Sequence, residues 1–181
     1  MEKGNWARTI LIVYNYLERV TGAIDKIVKQ RAVNSFYYNS TSCGYNDVQN
    51  VTKDILSLTE RKINLINLKV ICEDALSKIK TEYAKLLIFT FIEKKKTTEV
   101  AQMLKISQRS YFRKLDLALQ AFYKELVNMG YDENRLNDLY SKEGWILEVK
   151  DKTKDKEKQT NTVTFTNIYD FNHQFHSSLP F

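Results

Sequence analysis

Proline occurs once in this chain of 181 residues and glycine five times. A turn-rich β-sandwich needs more of both, whereas long helices tolerate the shortage. There are two cysteines, Cys43 and Cys72. They could pair, but nothing calls for a disulfide framework, and a reducing cytoplasm fits them better. The only histidines, His173 and His176, have no cysteine or carboxylate cluster beside them, so no metal site is expected. No glycine loop for phosphate is present, and no serine or cysteine stands in a nucleophile context. Glu73 and Asp74 are adjacent, so on a helix they diverge and make a poor acid–base pair. The expectation is a protein without a cofactor that is not an enzyme. No apolar run approaches the ~18 residues that span a bilayer. Residues 10–13 form a short apolar run broken by Asn15, Glu18 and Arg19, which is no signal peptide. A cytoplasmic protein with no membrane partner is expected.

What is present is ordinary globular composition with an uneven charge. Hydrophobic residues make up 43% and charged residues 28%. The chain has 28 basic and 22 acidic side chains, a net +6. Residues 94–114 contain Lys94, Lys95, Lys96, Lys105, Arg109, Arg113 and Lys114 against one acid, Glu99. The whole basic excess therefore sits in that short stretch, and the remainder is balanced. A local basic excess favours an acidic partner such as nucleic acid.

Apolar periodicity predicts a mainly α fold. Ile10, Val13, Leu17, Val20, Ile24 and Ile27 recur at alternating spacings of 3 and 4, the stripe of a helix over 5–32. Residues 34–47, rich in Asn, Ser, Thr and Tyr, read as a loop. A second helix over 48–79 carries Val48, Val51, Ile55, Leu58, Leu65, Cys72, Leu76 and Ile79 on one stripe, interrupted by Lys62 and Lys69. Two such helices suggest an antiparallel hairpin in which each stripe buries the other. The alternative is that the first stripe makes a coiled-coil homodimer. A third apolar helix covers 81–93, with Tyr83, Leu86, Leu87, Thr90 and Phe91 toward the core. A short helix is expected from Glu133 to Tyr140. Residues 145–149 (WILEV) and 160–171 look like strands, joined by a solvated charged run over 150–158. They would pair as a small hairpin or form a flexible tail. The aromatic residues Phe165, Tyr169, Phe171, Phe175 and Phe181 would dock on the protein's own body or on a partner. The organisation expected is a helical hairpin over 1–80 with a dimerisation role, a helix-turn-helix over 81–141 and a β-like or flexible extension over 142–181.

The stretch 94–119 (KKKTTEVAQMLKISQRSYFRKLDLAL) reads as two short helices and a tight turn. Thr97 can cap a first helix over 98–104, with Glu99 in its first turn. Val100, Ala101 and Leu104 would face inward, Ala101 because the helices approach closely there. Ile106 plugs the turn, and Ser107 caps a second helix running to about Asn128, with Gly130 at its C-terminal cap. Tyr111, Leu115 and Ala118 would face the core. That leaves Gln108, Arg109, Phe112, Arg113 and Asp116 outward, with Ser110 in the same first turns. In a helix-turn-helix the start of the second helix meets base edges. Gln108 suits adenine, and Arg109 or Arg113 suits guanine. Lys94, Lys95, Lys96 and Lys114 suit phosphates.

Residues 75–126 resemble the fourth conserved region of bacterial sigma-70 factors, and SQRSYFRKLDLAL resembles the recognition helix of phage late-gene activators of the ArpU and RinA type. The resemblance implies a helix reading promoter DNA and a module that touches RNA polymerase, with Gln108, Arg109, Phe112 and Arg113 facing bases or phosphates. Two departures stand out. Lys105 occupies the turn position where the family usually has glycine, a position that often takes positive φ. Residues 1–80 show nothing like the sigma region that melts promoter DNA. The expected function is therefore a transcriptional regulator that binds double-stranded DNA through a sigma-like module. The rivals are a protein that binds RNA polymerase or a sigma factor, and a DNA-packaging or replication accessory protein.

Overall fold

The computed structural model describes residues 5–39 and 45–160, and among these every regular element is helical. α1 (Asn5–Asn39) and α2 (Tyr45–Lys78) form the hairpin. Its antiparallel sense is written in the side-chain pairs. Tyr14 donates to Glu73 at 2.6 Å, Lys69 lies 3.7 Å from Glu18, Lys62 lies 2.6 Å from Asp25, and Arg31 pairs with Asp54. Numbers rise along one helix as they fall along the other. Both helices reach further into the Asn- and Tyr-rich stretch than its composition suggests, so the expected loop shortens.

The α1 stripe is buried as expected through Ile24 and runs out at Ile27, which is 41% exposed. It faces α2 and the rest of the molecule, so it is not available for a coiled coil between two copies. On α2 only the C-terminal half of the expected stripe is buried. Leu65, Cys72 and Leu76 are joined by Leu68, Ile71 and Ala75. Val51, Ile55 and Leu58 are half-buried and Val48 is exposed. Lys62 and Lys69, which interrupt the stripe, face α1 and pair with its carboxylates there.

α3 (Thr81–Leu87) continues into a π-helical turn, Ile88–Ile92. Leu86, Leu87, Thr90 and Phe91 are buried and Tyr83 half-buried. The widened turn is held by Asn15 of α1, whose Nδ2 donates to the Phe91 carbonyl at 2.9 Å. α4 (Thr97–Met103), α5 (Gln108–Asn128) and α6 (Glu133–Tyr140) follow. α5 closes on a Schellman cap: Gly130 has φ 84°, and the Tyr131 N–H bonds the Leu126 carbonyl at 2.8 Å. The helix over Glu133–Tyr140 is where the sequence puts it, capped by Asp132, whose carboxylate accepts from the Arg135 N–H at 2.8 Å.

The strand expected at 145–149 is not there. α7 (Gly144–Thr160) takes in those residues and the charged run after them. Ile146, Val149 and Thr153, spaced 3 and 4 apart, are buried on its inner side. A five-residue apolar run fits a strand or a helix equally well, and lysine and glutamate favour the helix when the run goes on. Nor is the charged run wholly solvated. Lys150 is 6% exposed, its ammonium 2.5 Å from Asn137 Oδ1, 3.5 Å from Glu133 and 4.8 Å above the Trp6 ring. The strand-like residues 161–171, the aromatic side chains beyond them and both histidines lie outside the described residues.

One continuous core runs from Trp6 of α1 through Val100 and Tyr111 to Val149 of α7. Two polar clasps tie its periphery. Asn137 accepts from Trp6 Nε1 at 3.0 Å as well as from Lys150. The buried carboxylate of Glu143 accepts from Arg61 Nε at 2.6 Å, Arg61 Nη2 at 2.9 Å and Trp145 Nε1 at 2.9 Å.

Candidate nucleic-acid interface

α4 and α5 are joined by a turn over 104–107 that fixes where α5 starts. Lys105 stands at φ 52°, the left-handed region. Its N–H bonds the Gln102 carbonyl at 3.1 Å, and the Ile106 N–H bonds the Ala101 carbonyl at 2.9 Å. That is a Schellman cap with lysine in the seat that glycine prefers. The positive φ expected from the sequence is present. Ser107 then begins α5, its Oγ accepting from the Ser110 N–H at 3.2 Å, as expected. The expected Thr97 cap does not form. Lys96 is the N-cap residue of α4 and makes no side-chain cap. Thr97 is instead the first residue of the helix.

The inner side of the motif is anchored by Tyr111. It is fully buried, its hydroxyl 3.0 Å from Thr90 Oγ1 in the π turn, and burial raises its pKa. Val100, Ala101, Leu115 and Ala118 are buried around it, while Leu104 and Ile106 are half-buried. Phe112 does not project freely: it is half-buried, edge-on to Tyr111 with ring centroids 5.1 Å apart.

The candidate contacts separate into two sets. Gln108, Arg109 and Arg113 are exposed, the arginines one turn apart on the same outward strip of α5 as Asp116. Ser110 is half-buried and occupied with Ser107. Lys96 is exposed. Lys94 sits at φ 53° with its ammonium 4.8 Å over the Tyr16 ring and 3.3 Å from that hydroxyl. Lys95 pairs with Glu93 at 2.8 Å and lies 4.7 Å over Phe89. Lys114 faces Glu82 at 3.7 Å. Three of the basic candidates are thus engaged within the chain. Among the described residues Lys96, Lys105, Arg109 and Arg113 are exposed cations in this region that enter no ion pair. From spacing alone Lys105 figures only as a backbone departure, yet its side chain is exposed in the turn just before α5. Gln120, exposed one turn beyond Asp116, extends the strip and could have been found from the same 3,4 spacing.

Chemically, this is a convex cationic strip with amide and guanidinium donors, suited to an anionic polymer. Among the described residues no group of three or more metal-ligating side chains comes together, and no helix is long and apolar enough to cross a membrane. Comparison with protein-family models, with curated proteins and with solved structures finds no match to this chain.

Proposed function

We propose that this chain is a sequence-specific DNA-binding transcriptional regulator that lays the N-terminal half of α5 in the major groove. The observation that carries the reading is the outward strip itself. Arg109 and Arg113 are exposed and unpaired on α5, while Tyr111, Leu115 and Ala118 lock the opposite side into the core. The Lys105 turn and the Ser107 cap set the start of that helix, where base contacts are made in this kind of motif. Lys96 and Lys105 flank it as phosphate contacts that hold register without reading sequence. The sigma-like resemblance of residues 75–126 supports the same assignment.

Exposed apolar side chains on the same two helices favour a second reading. Met103 and Leu117 are 49% and 44% exposed. A protein partner such as RNA polymerase would bury them, and such a complex would change little with salt.

The test is selection of bound sequences from a random DNA pool, followed by Arg109→Ala and Arg113→Ala. Loss of a guanidinium that reads guanine costs about 1–3 kcal/mol at the cognate position. Both substitutions should leave the helical circular dichroism unchanged. Unaltered affinity for every DNA tested, at low salt as well, would reject the proposal.

A further inference from the structure

α2 carries a second stripe that the core does not use. Thr52, Leu56, Thr59, Ile63, Ile66 and Val70 follow one another at spacings of 4, 3, 4, 3 and 4. Leu56, Ile63, Ile66 and Val70 are 57%, 50%, 43% and 55% exposed. On a helix they lie opposite Leu65, Leu68, Cys72 and Ala75, which face the core. The two threonines do not spoil the apolar seam. Thr52 Oγ1 donates to the Val48 carbonyl and Thr59 Oγ1 to the Ile55 carbonyl, each at 2.8 Å, so both hydroxyls stay satisfied when water leaves. No charged residue interrupts the strip, and a contiguous exposed apolar strip of this kind marks an interaction surface.

We propose that the occupant of this seam is a second copy of the same chain, paired in parallel through α2. The 3,4 alternation is the heptad a/d pattern, with the β-branched Ile63 and Val70 at the positions that suit parallel dimers. The flanking charges choose the sense. Lys53, Glu60, Asn67 and Asp74 line one flank, Lys62 and Lys69 the other. In parallel register Lys69 of one copy meets the partner's Asp74, and Lys62 meets the partner's Asn67. Antiparallel packing of the same layers sets Glu60 against the partner's Glu60 and Lys62 against the partner's Lys62. Like charges there are destabilising. Lys69 lies 3.7 Å from Glu18 and 5.9 Å from the Tyr14 ring centroid, and Asp74 pairs with Lys78 of its own helix at 2.8 Å, so the contact across copies exchanges exposed intramolecular pairs for an intermolecular one.

Size sets the strength. The seam is roughly 27 Å long at about 1.5 Å per residue and about 10 Å wide, so its footprint is on the order of 270 Å² per copy. That is well below the roughly 800 Å² per partner of a stable complex, so the pairing is reversible. Because α3 follows directly on α2, a parallel pair carries both copies of α4 and α5 at the same end. The pairing does not rest on the DNA-binding proposal, since it is measured without DNA.

The experiment is sedimentation equilibrium of the full chain from about 5 to about 300 µM, the range that brackets a dissociation constant of some tens of micromolar. The average mass should climb from the monomer toward twice that value. The double variant Ile63→Glu, Val70→Glu should stay monomeric throughout with the same helical signal. In a Cys43→Ser chain, Ile63→Cys should oxidise to a linked dimer, because equivalent a positions face each other only in the parallel pair. A monomer over the whole range, a dimer indifferent to the two glutamates, or no linkage through Ile63→Cys would each overturn the proposal. A dimer that forms only after removal of residues 161–181 would overturn it too, assigning the seam to that segment.

Discussion

Three consecutive lysines, Lys94, Lys95 and Lys96, should behave differently in DNA binding. Lys96 is exposed and unpaired, whereas Lys94 is held on Tyr16 and Lys95 on Glu93. Four cations are free for phosphates or bases: Lys96, Lys105, Arg109 and Arg113. If all four displace counterions, log K falls with log salt at a slope of about −3.6. Affinity should then drop roughly 100-fold between about 50 and about 200 mM salt. Lys96→Ala should make the slope shallower by about 0.9 and leave thermal stability where it was. Lys94→Ala should leave the slope alone and instead cost about 0.5–1 kcal/mol of stability, the worth of a partly exposed cation–π contact. The assay is fluorescence anisotropy with a selected duplex at four salt concentrations, beside thermal melts of each variant. If Lys94→Ala flattens the slope as much as Lys96→Ala, the intramolecular contacts do not persist on DNA and the division of the lysines is wrong. A slope near zero for the unaltered chain would remove phosphate contacts altogether.

Other expectations concern stability. Lys105→Gly should stabilise the fold by about 1 kcal/mol, because glycine enters the left-handed region without the penalty lysine meets at φ 52°. The same change should weaken DNA binding by removing an exposed charge, so stability and affinity move in opposite directions. Arg61→Ala should destabilise by about 2–3 kcal/mol in urea denaturation, since it leaves the buried Glu143 carboxylate with Trp145 as its remaining side-chain donor among the described residues. That figure lies below the fully buried range because the Arg61 side chain is itself 41% exposed. A loss under about 0.5 kcal/mol would mean that water already serves Glu143. Cys72 should resist thiol reagents at pH 8 in a Cys43→Ser chain, because burial pushes its pKa from 9.0 up to about 12. The neutral thiol is favoured in the folded state, so this contribution to stability is full below pH 9 and declines as pH rises toward about 12. Fast labelling without unfolding would contradict the burial.

The hairpin and the motif were legible because each rests on local rules. The α1 stripe from Ile10 to Ile24, the Ser107 cap, the positive φ at Lys105 and the Gly130 stop all follow from residues a few positions apart. What was not legible depends on partners far along the chain. Residues 145–149 cannot declare themselves helical without the inner surface that buries Ile146 and Val149. Lys150 looks solvated until Trp6, Asn137 and Glu133 are brought around it. Lys94, Lys95 and Lys114 look alike in sequence to Lys96, and only the positions of Tyr16, Glu93 and Glu82 set them apart. On α2 the fold covers the lysine-broken stripe and leaves the cleaner one behind it exposed, since periodicity gives a helix's faces but not which of them the fold will cover.

The clasp between α1 and α7 also sets an order of events. Asn5 donates to the Lys150 carbonyl at 2.9 Å, Thr153 donates to Asn5 Oδ1, and Trp6 packs against Tyr140 with ring centroids 6.1 Å apart. The first turns of α1 therefore find these neighbours only across almost the whole described length of the chain. The indole of Trp6 meets Asn137 across 131 residues of sequence, a loop whose closure is entropically costly and slow. The hairpin can zip by itself, but the molecule is finished only when its last described helix reaches back to its first.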